Sequence, residues 1–98
     1  MADRKKETAL VVSQQQLAEG IFSMWLQTEA SQSAVPGQFI SMYTNDGTKL
    51  LPRPISICEI DKEQGTLRLV YRVAGKGTAE FACMNAGDEI EVMGPLGN

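Results

Sequence analysis

Short runs in which hydrophobic and polar residues alternate recur along this chain of 98 residues, and a period of two is typical of half-buried β-strands. In the clearest run, residues 66–73, one face is formed by Leu67, Leu69, Tyr71 and Val73. The pattern predicts strands at residues 8–12, 21–26, 38–43, 55–60, 66–73 and 89–93. Six short strands favour an all-β fold, namely a six-stranded antiparallel Greek-key barrel with few exposed strand edges.

The segments between these runs carry turn and helix signals. The polar residues 14–16 and the Ser-, Pro- and Gly-containing residues 30–37 predict connections. Residues 45–47, Asn-Asp-Gly, predict a tight turn because these residue types tolerate a positive φ. Residues 78–84 suit one short helix, and residues 94–98 predict a closing turn. No repeat or linker interrupts the pattern, so residues 1–98 are predicted to form one domain.

Charge and composition exclude several classes of function. Nine Lys and Arg against twelve Asp and Glu give a net charge of −3, so no basic field is present to attract nucleic acid or an anionic membrane. Histidine is absent, which excludes His-based catalytic triads and His metal ligands. The apolar runs are too short for a membrane helix, and no apolar segment follows the N-terminal cations as in a secretory signal. A cytoplasmic location is therefore expected.

The two cysteines argue against a metal centre. Cys58 and Cys83 lack the C-x-x-C spacing of a zinc or iron–sulfur site, so no metal ligand is predicted. Each lies in an apolar run of a chain without an export signal, so reduced and buried thiols are the expected state. A disulfide between them is the alternative that the sequence leaves open.

Two segments have the residue types of an anion site. Arg53 lies between two prolines that keep the backbone extended, and a guanidinium presented in this way suits a phosphate. Ser56, three residues on, could bond the edge of a heteroaromatic ring. Residues 75–78, Gly-Lys-Gly-Thr, come just before the predicted helix, where unpaired N–H groups favour an anion. The alternatives are a surface arginine beside a strand, and a helix start capped by Gly77 or Thr78.

The order of these motifs resembles a known family. Its members share the series formed here by Pro36-Gly37-Gln38-Phe39, Arg53-Pro54-Ile55-Ser56, Val70-Tyr71-Arg72, Gly75-Lys76-Gly77-Thr78 and Gly94-Pro95-Leu96-Gly97. The series resembles the FAD-binding domain of the ferredoxin reductase superfamily from about residue 9 to residue 98. Within that superfamily it is most similar to the electron-transfer subunits of dihydroorotate dehydrogenase B, in which the arginine motif leads into an isoleucine–cysteine strand.

The resemblance implies an FAD site made by three segments: Arg53, Pro54, Ile55 and Ser56; Val70, Tyr71 and Arg72; and Gly77 and Thr78. The arginine would pair with the pyrophosphate, and the three residues after it would lie along the isoalloxazine, with the serine near the reactive edge. The second segment would contact the ring and the ribityl chain. The third would offer backbone N–H and hydroxyl groups to the phosphates. Many relatives have tyrosine in place of Ile55, so weaker stacking on the ring is expected here.

The resemblance also implies a partner. The family's subunits continue into a nicotinamide-binding lobe and a cysteine loop for a 2Fe-2S cluster, and neither the NAD site nor the cluster site matches any part of this chain. The chain would be the FAD lobe of a subunit that passes electrons between a catalytic dihydroorotate dehydrogenase subunit, FAD, the cluster and NAD in pyrimidine biosynthesis. It is not expected to complete a turnover alone. The alternatives are a ferredoxin–NADP or sulfhydrogenase reductase subunit, or a flavin-free barrel that binds proteins.

We expect this chain to retain FAD weakly, because the flavin in such proteins lies between two lobes and only one lobe matches the sequence. Gel filtration measures the retention. FAD should separate from the protein, and a stoichiometric amount of FAD in the protein peak would contradict the expectation.

Overall fold

The computed structural model describes residues 6–44 and 52–97, which form six strands, one 3₁₀ turn and one helix. The strands are β1 (Lys6–Ala18), β2 (Ile21–Gln27), β3 (Phe39–Met42), β4 (Arg53–Asp61), β5 (Thr66–Arg72) and β6 (Glu89–Leu96). The 3₁₀ turn is Glu29–Gln32 and the helix, α1, is Lys76–Ala82. The turn predicted at residues 45–47 lies outside the described residues.

The strands form a closed barrel in the order β1-β2-β5-β4-β3-β6, and every neighbouring pair is antiparallel. Strands β3, β4 and β5 follow one another as neighbours, and β6 returns after α1 to lie beside β3. This 4-1-2-3 arrangement is a Greek key. The predicted six-stranded antiparallel barrel with one short helix is therefore confirmed.

The alternating faces of the strands fill the barrel. On β5 the predicted alternation is confirmed, since Leu67, Leu69 and Tyr71 are all buried, whereas Val73 lies just beyond the end of the strand and is half-buried. The other side chains that are almost fully enclosed come from β1, β2, β3, β6 and α1: Val11, Met24, Leu26, Ile40, Met42, Ile90, Val92 and Phe81. A single apolar core of this kind supplies most of the driving force for folding a small domain.

Strand β1 is longer than predicted. It continues through Gln14, Gln15 and Gln16, which pair with β2 at Met24, Ser23 and Phe22. The connection predicted from this polar run is wrong, because the backbone bonds of a hairpin do not depend on apolar side chains. The glutamine run therefore extends the β1–β2 hairpin.

Strand β6 is also longer than predicted, so the closing turn expected at residues 94–98 is wrong for residues 94–96. At this point β6 lies close to β3, with Leu96 opposite Phe39. A Cβ on Gly94 would lie 3.1 Å from Ile40 Cγ1 and 3.3 Å from the Phe39 carbonyl oxygen, which explains why a glycine stands in this strand.

The helix and the cysteines also differ from expectation. Helix α1 begins at Lys76 with Gly75 as its N-cap, two residues before the predicted start. Cys58 and Cys83 are both free and exposed, so the prediction of buried thiols is wrong. Cys58 alternates with the buried Ile57 and so lies on the outer face of β4, and Cys83 is the C-cap of α1. Among the described residues, no helix is long and apolar enough to cross a membrane.

The different burial of two leucines predicts very different losses in the free energy of unfolding when each is replaced by alanine. Leu69 is 0 % exposed, so Leu69→Ala should lower the free energy of unfolding by about 2–5 kcal/mol through lost contacts and a cavity. Leu17 is 45 % exposed, and Leu17→Ala should change the free energy of unfolding by less than about 0.5 kcal/mol. Urea unfolding followed by circular dichroism measures both. Equal losses would contradict the assignment of the core.

Candidate functional site

The first predicted site segment forms the start of β4. Residues 53–56 pair with β3, with Ile55 opposite Ile40 and Ser56 opposite Phe39. The ladder between β4 and β5 begins only at Ile57, which pairs with Leu69, so residues 53–56 lie beyond it. The ladder between these two neighbouring strands is therefore open at this end, and this gap in the ladder is called the β4–β5 opening.

Strand alternation separates the side chains of this segment. Pro54 and Ser56 are exposed on the outer face of β4, and Arg53 is exposed at the start of the strand. Ile55 points inward, is 6 % exposed and belongs to the core cluster. Of the three residues expected along a flavin ring, Pro54 and Ser56 have exposed side chains. The side chain of Ile55 is buried, so only its backbone is left for contact with a ligand at the surface.

The structure brings the arginine and the glycine loop together. A Cβ on Gly77 would lie 3.1 Å from Arg53 Cγ and 3.4 Å from Arg53 Cδ, so the backbone of α1 rests against the arginine side chain. Gly77 is buried by this contact and Arg53 remains exposed. A Cβ here would push the methylene groups of Arg53 away by a few tenths of an ångström, so glycine allows the closer approach of the helix.

The turn before α1 presents a row of backbone donors. Gly75 has φ 100° and ψ 179°, a conformation that L-residues other than glycine rarely adopt. The first hydrogen bond of the helix runs from Ala79 N–H to the Gly75 carbonyl at 3.1 Å. The N–H groups of Lys76, Gly77 and Thr78 therefore precede the helical ladder and are of the kind that a phosphate can accept.

The hydroxyl of Thr78 is engaged within the turn. Its Oγ1 accepts a hydrogen bond from Ala74 N–H at 2.6 Å and donates to the Gly75 carbonyl at 3.4 Å, and the residue is 5 % exposed. These bonds shape the turn and hold the conformation of Gly75. What Thr78 offers to a ligand is its backbone N–H.

On β5 the second predicted segment is divided in the same way. Val70 and Arg72 lie on the outer face, where Val70 is half-buried and Arg72 is exposed. Tyr71 points inward and is 5 % exposed. Since β5 is the neighbour of β4, the outer-face residues of the two strands border the same opening.

Charge in this region differs from that of the whole chain. Arg53, Arg72 and Lys76, one from each of the three segments, are exposed, although the chain carries a net charge of −3. An exposed guanidinium beside backbone donors that precede a helical ladder suits a ligand with two phosphates. The described residues hold no group of three His, Cys, Asp or Glu side chains that could bind a metal ion.

Sequence reasoning missed one residue of this region, Gln14. Its Oε1 accepts a hydrogen bond of 2.5 Å from the Tyr71 hydroxyl, and its Nε2 donates to the carbonyls of Phe81 at 2.9 Å and Met84 at 2.8 Å. No local pattern signals this role, because the partners lie 57 to 70 residues away in the chain. The Tyr71 ring also stacks on Phe22 at 5.9 Å between centroids.

Two clefts occur on other parts of the surface. The first, of about 370 Å³, is lined by Glu7, Thr8, Leu10, Gln27, Thr28, Glu29, Gln32 and Gly65. The second, of about 590 Å³, is lined by Trp25, Pro36, Glu59, Ile60, Asp61, Lys62 and Glu63. Neither contains a residue of the three predicted segments.

Comparison with known proteins relates almost the whole chain to flavoproteins. Residues 8–98 match the family model described as oxidoreductase FAD-binding domain. The electron transfer subunit of dihydroorotate dehydrogenase B (NAD(+)) from Enterococcus faecalis is 46 % identical over 96 residues, which are 97 % of this chain and 36 % of that protein. The corresponding subunit from Streptococcus mutans is 43 % identical over 95 % of this chain and 36 % of that protein. The chain thus spans little more than a third of these relatives.

Solved structures agree with the barrel. The structure of an NADH-dependent reduced ferredoxin-NADP oxidoreductase has a TM-score of 0.85 and 33 % identity, over 92 % of this chain and 33 % of that one. The ferredoxin NADP+ reductase from Neisseria gonorrhoeae, with bound FAD and NADP, has a TM-score of 0.75 over 93 % of this chain and 37 % of that one. At 19 % identity, this second likeness shows the fold alone.

The environment of Tyr71 predicts a pH dependence of stability. Burial, and secondarily the charge of Cys83, raise the pKa of the Tyr71 phenol well above its usual value of 10.0. The unfolded chain loses this proton near pH 10 while the folded protein keeps it, so the contribution of Tyr71 is fully present below about pH 10 and declines above it. Tyr71→Phe should therefore lose less stability than the wild type between about pH 9 and pH 11 in urea unfolding.

Tyr43→Phe is the matched control, since it removes a phenol that does not bond to Gln14. Parallel stability curves for the wild type and Tyr71→Phe over this pH range would contradict the buried, neutral phenol.

Proposed function

Because the chain belongs to the oxidoreductase FAD-binding domain family, its cofactor is FAD, and we propose that it forms the FAD-binding part of a cytoplasmic electron-transfer subunit of a dihydroorotate dehydrogenase. Identities of 43–46 % to such subunits over 95–97 % of this chain support the proposal. In the proposed complex the partner is the catalytic subunit that oxidises dihydroorotate in pyrimidine biosynthesis. The NAD and 2Fe-2S sites would belong to the part of the subunit that this chain does not span.

The observation that carries the proposal is the contact of Gly77 with the Arg53 side chain. It brings a guanidinium and the N–H groups of residues 76–78 to one place, although the two segments are more than 20 residues apart in the sequence. A pyrophosphate needs this combination, because its charge is spread over several oxygens that accept hydrogen bonds from different directions. The donor set therefore fits the phosphate part of FAD.

The outer faces of β4 and β5 fit the flavin part of FAD. In the proposed site Pro54 and Val70 provide flat apolar contacts, and the Ser56 hydroxyl donates to or accepts from the edge of the ring. Arg72 lies where it can meet the ribityl chain or a phosphate. Ile55 and Tyr71 contribute their backbone, because their side chains are enclosed in the barrel.

FAD, when bound, supplies the redox chemistry. The residues of this chain have the task of binding and orientation: Arg53 and the α1 donors hold the phosphates, and the exposed strand faces hold the ring at a fixed angle to them. No residue of the site is proposed as catalytic.

A reductase of the ferredoxin–NADP type is the second candidate, and the 33 % identity and TM-score of 0.85 to the NADH-dependent reduced ferredoxin-NADP oxidoreductase favour it. Both candidates use the same FAD site and differ in the electron partner. Co-purification with a catalytic dihydroorotate dehydrogenase subunit would favour the first, and co-purification with a ferredoxin would favour the second.

The phosphate assignment predicts a selective loss in Arg53→Ala. A hydrogen bond to a charged group contributes about 1.5–3 kcal/mol, so the variant should bind FAD about 10- to 100-fold more weakly. Riboflavin has no phosphate, so its affinity should change by less than about twofold. Quenching of flavin fluorescence measures both affinities.

Lys62→Ala is the charge-matched control, because it removes an exposed cation from the β4–β5 turn, away from the proposed site. It should change neither affinity. Equal losses of FAD and riboflavin binding in Arg53→Ala would refute the phosphate assignment. A wild type that binds no flavin would favour a flavin-free barrel that binds proteins.

A further inference from the structure

Gln14 is the one side chain of the β1–β2 hairpin that is hydrogen-bonded to both β5 and the end of α1. Its amide donates to the carbonyls of Phe81 at 2.9 Å and Met84 at 2.8 Å, and accepts from the Tyr71 hydroxyl at 2.5 Å. All the hydrogen-bonding groups of the amide except one lone pair are thus engaged. The neighbouring Gln15 and Gln16 are exposed.

Helix α1 needs such an attachment. It has seven residues, and a helix of this length is not stable in water without tertiary contacts. Phe81, the only large apolar side chain of α1, is fully buried and meets the edge of the Tyr71 ring at 6.4 Å between centroids. The Phe81 carbonyl accepts a hydrogen bond from Met84 N–H at 3.1 Å. Gln14 adds a second donor to this carbonyl and one to the carbonyl of Met84, just after the helix, and so ties this end of α1 to β1.

The opposite end of α1 faces the proposed phosphate site. Gly77 there rests against Arg53, and the N–H groups of residues 76–78 precede the helical ladder. Seven residues of helix span only about 10 Å and behave as a rigid rod, so an attachment at one end sets the position of the other. A shift of the Phe81 end would therefore move the N–H donors relative to Arg53.

We propose that Gln14 is a positioning residue of the FAD site, acting by fixing α1 to the barrel so that the N–H groups of residues 76–78 stay in register with Arg53. The inference rests on the proposed function. Gln14 itself touches no ligand in this arrangement. Its loss should therefore lower affinity for the phosphate-bearing flavin and spare the flavin ring, whose contacts lie on β4 and β5.

Two variants of similar length test the role of the amide. Gln14→Glu keeps an acceptor for the Tyr71 hydroxyl and removes both donors to α1, and Gln14→Met removes all three hydrogen bonds. Both should bind FAD roughly tenfold more weakly than the wild type, with riboflavin affinity changed by less than about twofold. Gln16→Glu and Gln16→Met are the matched controls on the same strand and should behave as the wild type.

Hydrogen exchange in the absence of flavin gives an independent readout. The backbone amides of residues 79–83 should exchange faster in both Gln14 variants than in the Gln16 controls, while the amides of β4 and β5 should not. Affinities are compared at a temperature at which circular dichroism shows every variant to be folded. If Gln14→Met does not fold, Gln14→Glu alone decides.

The outcomes separate the two proposals. A lower unfolding midpoint with an unchanged ratio of FAD to riboflavin affinity would show that Gln14 is only structural and would overturn its positioning role. A wild type that binds no FAD would overturn the proposed function, and the positioning role with it. Selective loss of FAD affinity together with faster exchange in α1 would support both.

Discussion

Closure of the barrel by β6 is the constraint on which the rest of this structure depends. Strand β6 pairs with β1 on one side and with β3 on the other, so each of the six strands has two hydrogen-bonded neighbours. Closure removes the free edges of the sheet and gives the inner faces one shared core. It also fixes where β4 begins relative to the end of β5, and the proposed cofactor site lies at that junction.

The proposed site is built around the part of β4 that is not paired with β5. Residues 53–56 of β4 lie beyond the ladder to β5, and the turn before α1 enters the space beside them. Helix α1 adds donors that a strand cannot offer, because the N–H groups of a strand are used in its ladders. Since α1 is short, it depends on Phe81 and Gln14 for its position, and the geometry of the phosphate site rests on contacts about 10 Å away.

Much of the barrel was predictable because its signals are local. The alternation in residues 66–73 identified β5 and its inner face, and the Arg53 and Gly75–Thr78 motifs identified the residues that the fold brings together. Local signals gave the wrong ends for β1 and β6, because there the backbone pairs with a neighbouring strand although the residue types are those of a turn or connection. Gln14 to Gln16 continue β1 because β2 lies alongside, and Gly94 to Leu96 continue β6 because β3 lies alongside, with Phe39 opposite Leu96.

By itself, the sequence determined where the six strands lie, which residues of β5 share a face, and the residue types of the anion site, since these depend on a period of two and on the chemistry of neighbouring residues. Only the tertiary structure decided that Ile55 and Thr78 turn their side chains away from the surface, that Gly77 packs on Arg53, and that Gln14 joins β1 to α1. These contacts join positions up to 70 residues apart, and such pairs meet only after the chain has closed into a barrel.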